Sequence, residues 1–160
     1  MFQFIAHLRF LTKASNQHGV HSPFIYNYVT KCLYIKGKLH QQKSKNVLLK
    51  SIAYFKPEKV FTTSEEIKKT IQKVMTKLNF TSNTVDLAYL ELPNIEEFNT
   101  IKHHNNTMVF IHEIYTNKET LEAWEQIKKL EKVTVTVDLF YCAIVFFRKE
   151  QAKEHFKIRI

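Results

Sequence analysis

Residues 55–69, FKPEKVFTTSEEIKK, run from an apolar pair, Val60 and Phe61, through Thr62-Thr63-Ser64 into a helical pattern that continues to Leu78. A strand that feeds a helix through so tight a turn is able to seat a cofactor, because backbone N–H groups and the positive end of the helix dipole converge there. Close approach of a ligand to such a turn normally calls for glycine. The turn has none, and the chain holds only Gly19 and Gly37. Histidine offers a second chemistry. His103-His104 with His112 carry the donor atoms of a metal site, but an adjacent histidine pair at a helix end caps carbonyls, and no metal is expected. Cys32 and Cys142 have neither metal-ligand spacing nor a C-x-x-C pairing and read as reduced core residues.

What must position these groups is an alternation of strands and helices behind a helical start. Residues 2–13 put Phe4, Leu8 and Leu11 on one helical face with Ile5 beside them. After a break at Ser15–Gly19, HSPFIYNYVTKCLYIKG supplies Ser22 as N-cap, Pro23 at the first helical position and Gly37 past the end. QQKSKNVLLKSIAYFKP predicts a third helix stopped before Pro57. From there the pattern predicts strand 59–62, a helix opened by a Thr63 to Glu66 capping box, strand 84–92 and a short helix over 94–104 begun by Asn94. Strand 107–115 follows, then a helix opened at Thr116–Glu119 that carries Leu121, Trp124, Ile127 and Leu130, and last the strands 133–140 and 142–149. The last two are joined so tightly that they must form an antiparallel hairpin. The order β-α-β-α-β-α-β-β predicts a mostly parallel sheet with one reversed strand at or near its edge.

Composition limits the classes. At 160 residues, with 44% hydrophobic and 13% aromatic content, the chain can bury a real core as one domain and is far from a disordered composition. The net charge of +9 invites a polyanion partner, but the lysines are spread over polar helix positions and arginine is scarce, so any nucleic-acid binding is expected to be weak. No apolar stretch reaches the roughly 18 residues that cross a bilayer, and no membrane partner is expected. His7 and Arg9 interrupt the apolar N-terminal run and no small-residue cleavage site follows it, which predicts a cytoplasmic protein.

The closing β-α-β-β arrangement resembles that of class I S-adenosylmethionine-dependent methyltransferases. Two blocks sharpen the likeness. QHGVHSPFIYNYVTK (17–31) is similar to the "HGIHSPFVF" helix start of a group of bacterial methyltransferase-like proteins common in Bacteroidetes. Residues 111–160 resemble the C-terminal block of the same proteins, in which a strand ends in D-D-I-Y-W-S, a helix carries M-x-x-A-W, and T-V-D-L-F-x-x-G-I-V-F-F-R and H-F-x-I-R follow. The resemblance implies a Rossmann-like fold and S-adenosylmethionine as cofactor, held by an acidic residue and an E-L-G-T-S-x-G turn after the first strand.

The departures from that pattern bear on function. The corresponding stretch is Val60-Phe61-Thr62-Thr63-Ser64-Glu65, a Thr-Ser echo without the glycines, and a glutamate at the helix start opposes a cofactor carboxylate. Only one helix fits between Val60 and Val85, where the family's second and third strands lie. Both strands are therefore expected to be missing, together with the carboxylate that holds the ribose. Glu91-Leu92 stands at the family's D-G, and His112-Glu113 at the acidic pair that serves some relatives as metal ligand or base. Thr62, Thr63, Ser64 and Glu91 thus read as vestigial cofactor positions and His112 and Glu113 as the candidate catalytic pair. Trp124 falls at the family's A-W and packs its helix; His21 is either locally bonded or a cofactor or substrate contact.

The expected architecture is one domain over 1–160. It is a truncated Rossmann-like class I methyltransferase fold, with N-terminal helices (1–56) and a five-stranded, mostly parallel sheet with a C-terminal antiparallel hairpin (57–160). The leading functional expectation is a degenerate, catalytically inactive methyltransferase-like protein serving as an interaction or scaffold domain. Its first strand would be left as an exposed edge, available to a second copy or a protein partner unless the N-terminal helices cover it. The alternatives are an active S-adenosylmethionine-dependent methyltransferase with an atypical or partner-completed site, and a basic polyanion-binding module.

Overall fold

A computed structural model describes residues 1–160. Its elements are α1 (Phe2–Lys13), a 3-10 turn (Gln17–Gly19), α2 (Pro23–Tyr28) running into a π-helical turn (Val29–Leu33), α3 (Lys43–Phe55), β1 (Lys59–Phe61), α4 (Glu65–Gln72), β2 (Asn79–Phe80), β3 (Val85–Leu90), α5 (Ile95–Thr100), β4 (His103–His112), α6 (Lys118–Lys129), β5 (Val135–Asp138), β6 (Cys142–Phe146) and β7 (Glu154–Lys157). The fold is α/β. The strands form one seven-stranded sheet in the order β2-β1-β3-β4-β6-β5-β7. Only β6 is antiparallel to its neighbours.

Alternation along the strands builds a core on each face. Leu87, Tyr89, Met108, Phe110, Ile144 and Phe146 face α2, α3 and α4. Ala88, Leu90, Val109, Ile111, Ala143 and Val145 face α1, α5 and α6, with Trp124 wholly buried among them. β4 is apolar on both faces, as a central strand must be. The N-terminal helices are therefore no separate layer: α1 lies on one side of the sheet, α2 and α3 on the other.

Several expectations need correction. The sheet has seven strands instead of five. β2 pairs with β1 at Lys59–Asn79 and Val60–Phe80, so β1 is not an open edge and the position next to it is not empty. Two residues are too few to show a period of two, which hid β2 from the sequence. β7, on the opposite edge, pairs with β5 through Val135–Glu154 to Asp138–Lys157. The chain itself closes part of that edge, since Ser15 donates its N–H to Lys157 O and accepts from Arg159 N–H.

Two capping assignments shift by one residue. Ser64, not Thr63, caps α4 by accepting from Ile67 N–H, so Glu65 and Glu66 fill the first turn. Asn117, not Thr116, caps α6, in a reciprocal box with Thr120. Ser22, with Pro23 after it, and Asn94 cap their helices as expected. α5 ends at Thr100, so His103 and His104 open β4 and cap no helix.

In α1 the helix buries Ala6 and Phe10, and the broader stripe of Phe4, Ile5, Leu8 and Leu11 faces solvent. A helix apolar on two sides can bury only one against a single sheet. The narrow side wins because Ala6 permits close approach and Phe10 slots beside Tyr115 and Phe140, at ring-centroid distances of 6.3 and 5.6 Å. No helix is long and apolar enough to cross a membrane.

Candidate functional site

In an open parallel sheet the chemistry gathers outside the carboxyl ends of the strands, where neighbouring connections leave in opposite directions. Here β1 connects outward to β2, whereas β3 connects through α5 to β4 on its other side. The switch point lies between β1 and β3. The turn after β1, the Glu91 that follows β3, and the His112-Glu113 pair at the end of β4 all stand on this end of the sheet.

The turn after β1 satisfies itself. Thr62 is buried, and its Oγ1 accepts from Ser64 N–H at 3.1 Å; Ser64 Oγ accepts in turn from Ile67 N–H at 3.4 Å. Thr63 is exposed. Glu65 and Glu66 then place two carboxylates in the first turn of α4, where they complement the helix dipole and repel an incoming anion. Glu66 forms an ion pair with Lys45 at the start of α3. The Lys45 ammonium holds the Glu66 carboxyl below its usual range, as Lys68 does for Glu65.

His112 is the centre of the site. The imidazole is buried, with Nε2 at 3.0 Å from Ser44 Oγ and Nδ1 at 3.2 Å from Tyr89 Oη. Two carboxylates stand further out: Glu91 Oε1 lies 3.6 Å from Nδ1 and Glu113 Oε1 lies 3.8 Å from Nε2. Burial, then the charge of Glu91, pushes the Tyr89 phenol far above its usual range, so Tyr89 stays a donor. Glu113 adopts φ 50 and donates its N–H to Tyr141 O at 3.3 Å. Left-handed backbone at a bulky side chain carries strain, and Phe140, at φ 70, repeats it across the cleft.

A cleft of about 320 Å³ opens beside this centre, with Lys43, His112, Glu113, Tyr115, Phe140 and Tyr141 in its wall. Thr62, Thr63, Ser64 and Glu91 do not line it. Lys43 Nζ sits 4.6 Å above the Tyr141 ring. Behind the cleft lies a second polar cluster. Asp138, at the end of β5, accepts from Tyr115 Oη–H at 2.5 Å and Phe140 N–H at 2.9 Å and pairs with Lys157 at 3.3 Å. Burial raises the Asp138 carboxyl above its usual range, against the pull of Lys157 and of its donors. It also raises the Tyr115 phenol, with the Asp138 charge adding to the effect.

The three histidines of the imagined metal cluster are not together. His103 and His104 open the ten-residue β4 and His112 closes it, which puts them about 30 Å apart. His103 stacks on Phe147 at 3.8 Å, and His104 Nε2 meets Asp86 Oδ1 at 2.8 Å. No group of three or more His, Cys, Asp or Glu side chains converges on a metal position. Cys32 and Cys142 are free and buried; burial pushes the Cys32 thiol up to about 12.

The structure thus brings Glu91, His112 and Glu113 together, with Thr62, Thr63 and Ser64 nearby on a self-satisfied turn. Sequence reading missed Ser44, Tyr89, Tyr115, Asp138 and Lys157. Two signals were present. Tyr89 stands two residues before Glu91 and so shares a strand face with it, and Asp138 is the one charge inside the apolar run VTVTVDLF. The chain matches no known family model and no curated protein.

Proposed function

We propose that this chain is a shortened methyltransferase-like domain that has lost S-adenosylmethionine chemistry and acts as an interaction or scaffold domain. One observation carries the reading: side chains of the protein itself hold the polar groups at the switch point. Thr62 and Ser64 are committed to the turn and to the α4 cap. α3 sets Ser44 on His112 and Lys45 on Glu66. Glu91, where the resemblance puts the carboxyl end of a cofactor strand, is turned toward His112. A nucleoside carrying an amino-acid tail would have to displace these contacts, and would meet Glu65 and Glu66 at the helix start with its own carboxylate.

Calorimetric titration with S-adenosylmethionine and S-adenosylhomocysteine tests the reading. No saturable heat up to millimolar ligand is expected; micromolar binding would overturn it. A second reading, an active methyltransferase with an atypical site, draws on the cleft beside His112 and Glu113. Its 320 Å³ lies at the lower end of ligand pockets, about 300–1,000 Å³. Saturable binding abolished by His112→Ala would favour that second reading.

A further inference from the structure

The outward face of α1 is the largest run of apolar side chains that the fold leaves uncovered. Phe4 is 68% exposed, Leu8 50%, Ile5 42% and Leu11 37%, with Met1 beyond them. At helical spacing these positions fall on one side of the helix, with Thr12 the only polar residue among them. A soluble monomer rarely leaves so continuous a patch bare. The helix contains no carboxylate. Arg9, and Lys13 beyond it, stand along one edge of the patch, and neither is engaged in an ion pair. Beside them runs a cleft of about 350 Å³ between α1 and α6, whose wall holds Arg9, Lys13 and Lys157 against one carboxylate, Glu125. That carboxylate is already paired with Lys128 at 2.7 Å.

We propose that this face of α1 lies on an anionic lipid surface, its apolar stripe sunk into the headgroup boundary and its arginine and lysine against lipid phosphates. Lying on a bilayer needs no spanning helix. It needs an exposed apolar stripe with cations at its margin. Charge decides against a second copy as occupant. Apposing two copies through α1 would bring together chains that each carry a net charge of +9, with no acidic residue on either helix to answer Arg9 and Lys13. An anionic surface answers both features at once. The inference is independent of whether the cleft at His112 binds a cofactor.

The test is flotation of the full chain with phosphatidylcholine vesicles, either pure or containing about one quarter phosphatidylserine. Binding to the anionic vesicles and much weaker binding to the neutral ones is expected. Phe4→Ser with Leu8→Ser is expected to lower the partition at least tenfold. Because both residues are exposed, its circular dichroism and melting should stay unchanged. Arg9→Gln with Lys13→Gln is expected to remove most of the preference for anionic vesicles, roughly thirtyfold at about fivefold per cation. No flotation with anionic vesicles, or flotation unaltered in both variants, would overturn the proposal. So would sedimentation showing a dimer that the Phe4/Leu8 variant converts to monomer, since the covering surface would then be a second copy.

Discussion

Lys157→Met isolates the energetics of the polar cluster behind the cleft. Asp138 is 2% exposed and stands 3.3 Å from the Lys157 ammonium. At an effective dielectric of about 20 that distance corresponds to roughly 5 kcal/mol of attraction. Lys157 keeps 28% of its side chain in solvent, and Asp138 retains its bonds from Tyr115 and Phe140, so the loss should be nearer 3 kcal/mol, the lower end for a broken buried pair. Methionine keeps the packing of the lysine stem. The loss should also depend on pH. Burial holds the Asp138 carboxyl above its unfolded value despite Lys157. Between the unfolded value, about 3.9, and that raised value, the folded chain holds more proton than the unfolded one, so stability falls as pH rises. Removing the lysine raises the folded value further and widens the window. The penalty should therefore be small near the unfolded value, about 3.9, where the carboxyl is largely protonated in the variant's folded state, and grow as pH rises through the raised folded value. Urea unfolding of both proteins across that range measures it. A penalty below about 1 kcal/mol at the high end, or one independent of pH, would refute the assigned role of the pair.

Three further outcomes follow from single contacts. Trp124 is wholly buried on α6 with its indole N–H unpartnered. Trp124→Ala should cost about 3–5 kcal/mol, whereas Trp124→Phe should cost about 1 kcal/mol or less because it removes an orphaned donor along with bulk; melting curves separate the two. Asp86 Oδ2 accepts from Glu58 and Lys59 N–H at 2.9 and 2.8 Å. Burial pushes its carboxyl up, but the two amides and His104 outweigh burial and leave it lowered. Its stabilisation is therefore present above the unfolded value and lost as pH falls through the folded one. Asp86→Asn should show a shallower loss of urea stability below about pH 4 than the parent protein. Ser44→Ala removes the partner of His112 Nε2 at 3.0 Å and should cost about 1 kcal/mol, while a loss within error would mean that Ser44 does not anchor α3 at the site.

How much was legible in the sequence depended on how long each pattern ran. The parallel alternation and the closing hairpin rest on strands of three residues or more and on helices with clear caps, and these were readable. β2 has two residues, and β7 lies in EHFK with a charge at each end, so neither carries a strand signature. Capping was misplaced by one residue wherever two adjacent polar residues competed. At Thr63-Ser64 and Thr116-Asn117 the backbone geometry, not residue type, picks the second of the pair. Glu91, His112 and Glu113 could be nominated because polar residues at strand ends stand out. Ser44 and Lys157 could not, because their roles depend on α3 crossing the strand ends and on the β7 register. α1 misled for a different reason: its wider apolar stripe is real but is not the side that meets the core.

The central claim is that the protein's own side chains fill the switch point between β1 and β3. The most direct measurement is a backbone-amide NMR titration with S-adenosylmethionine, followed at residues 61–66, 90–92 and 112–114. The account predicts no saturable shift in these amides up to millimolar ligand. Shifts that saturate and converge on the Thr62–Glu66 turn and Glu91 would contradict it, and would mean that a cofactor still displaces Ser44 and Lys45 from the site.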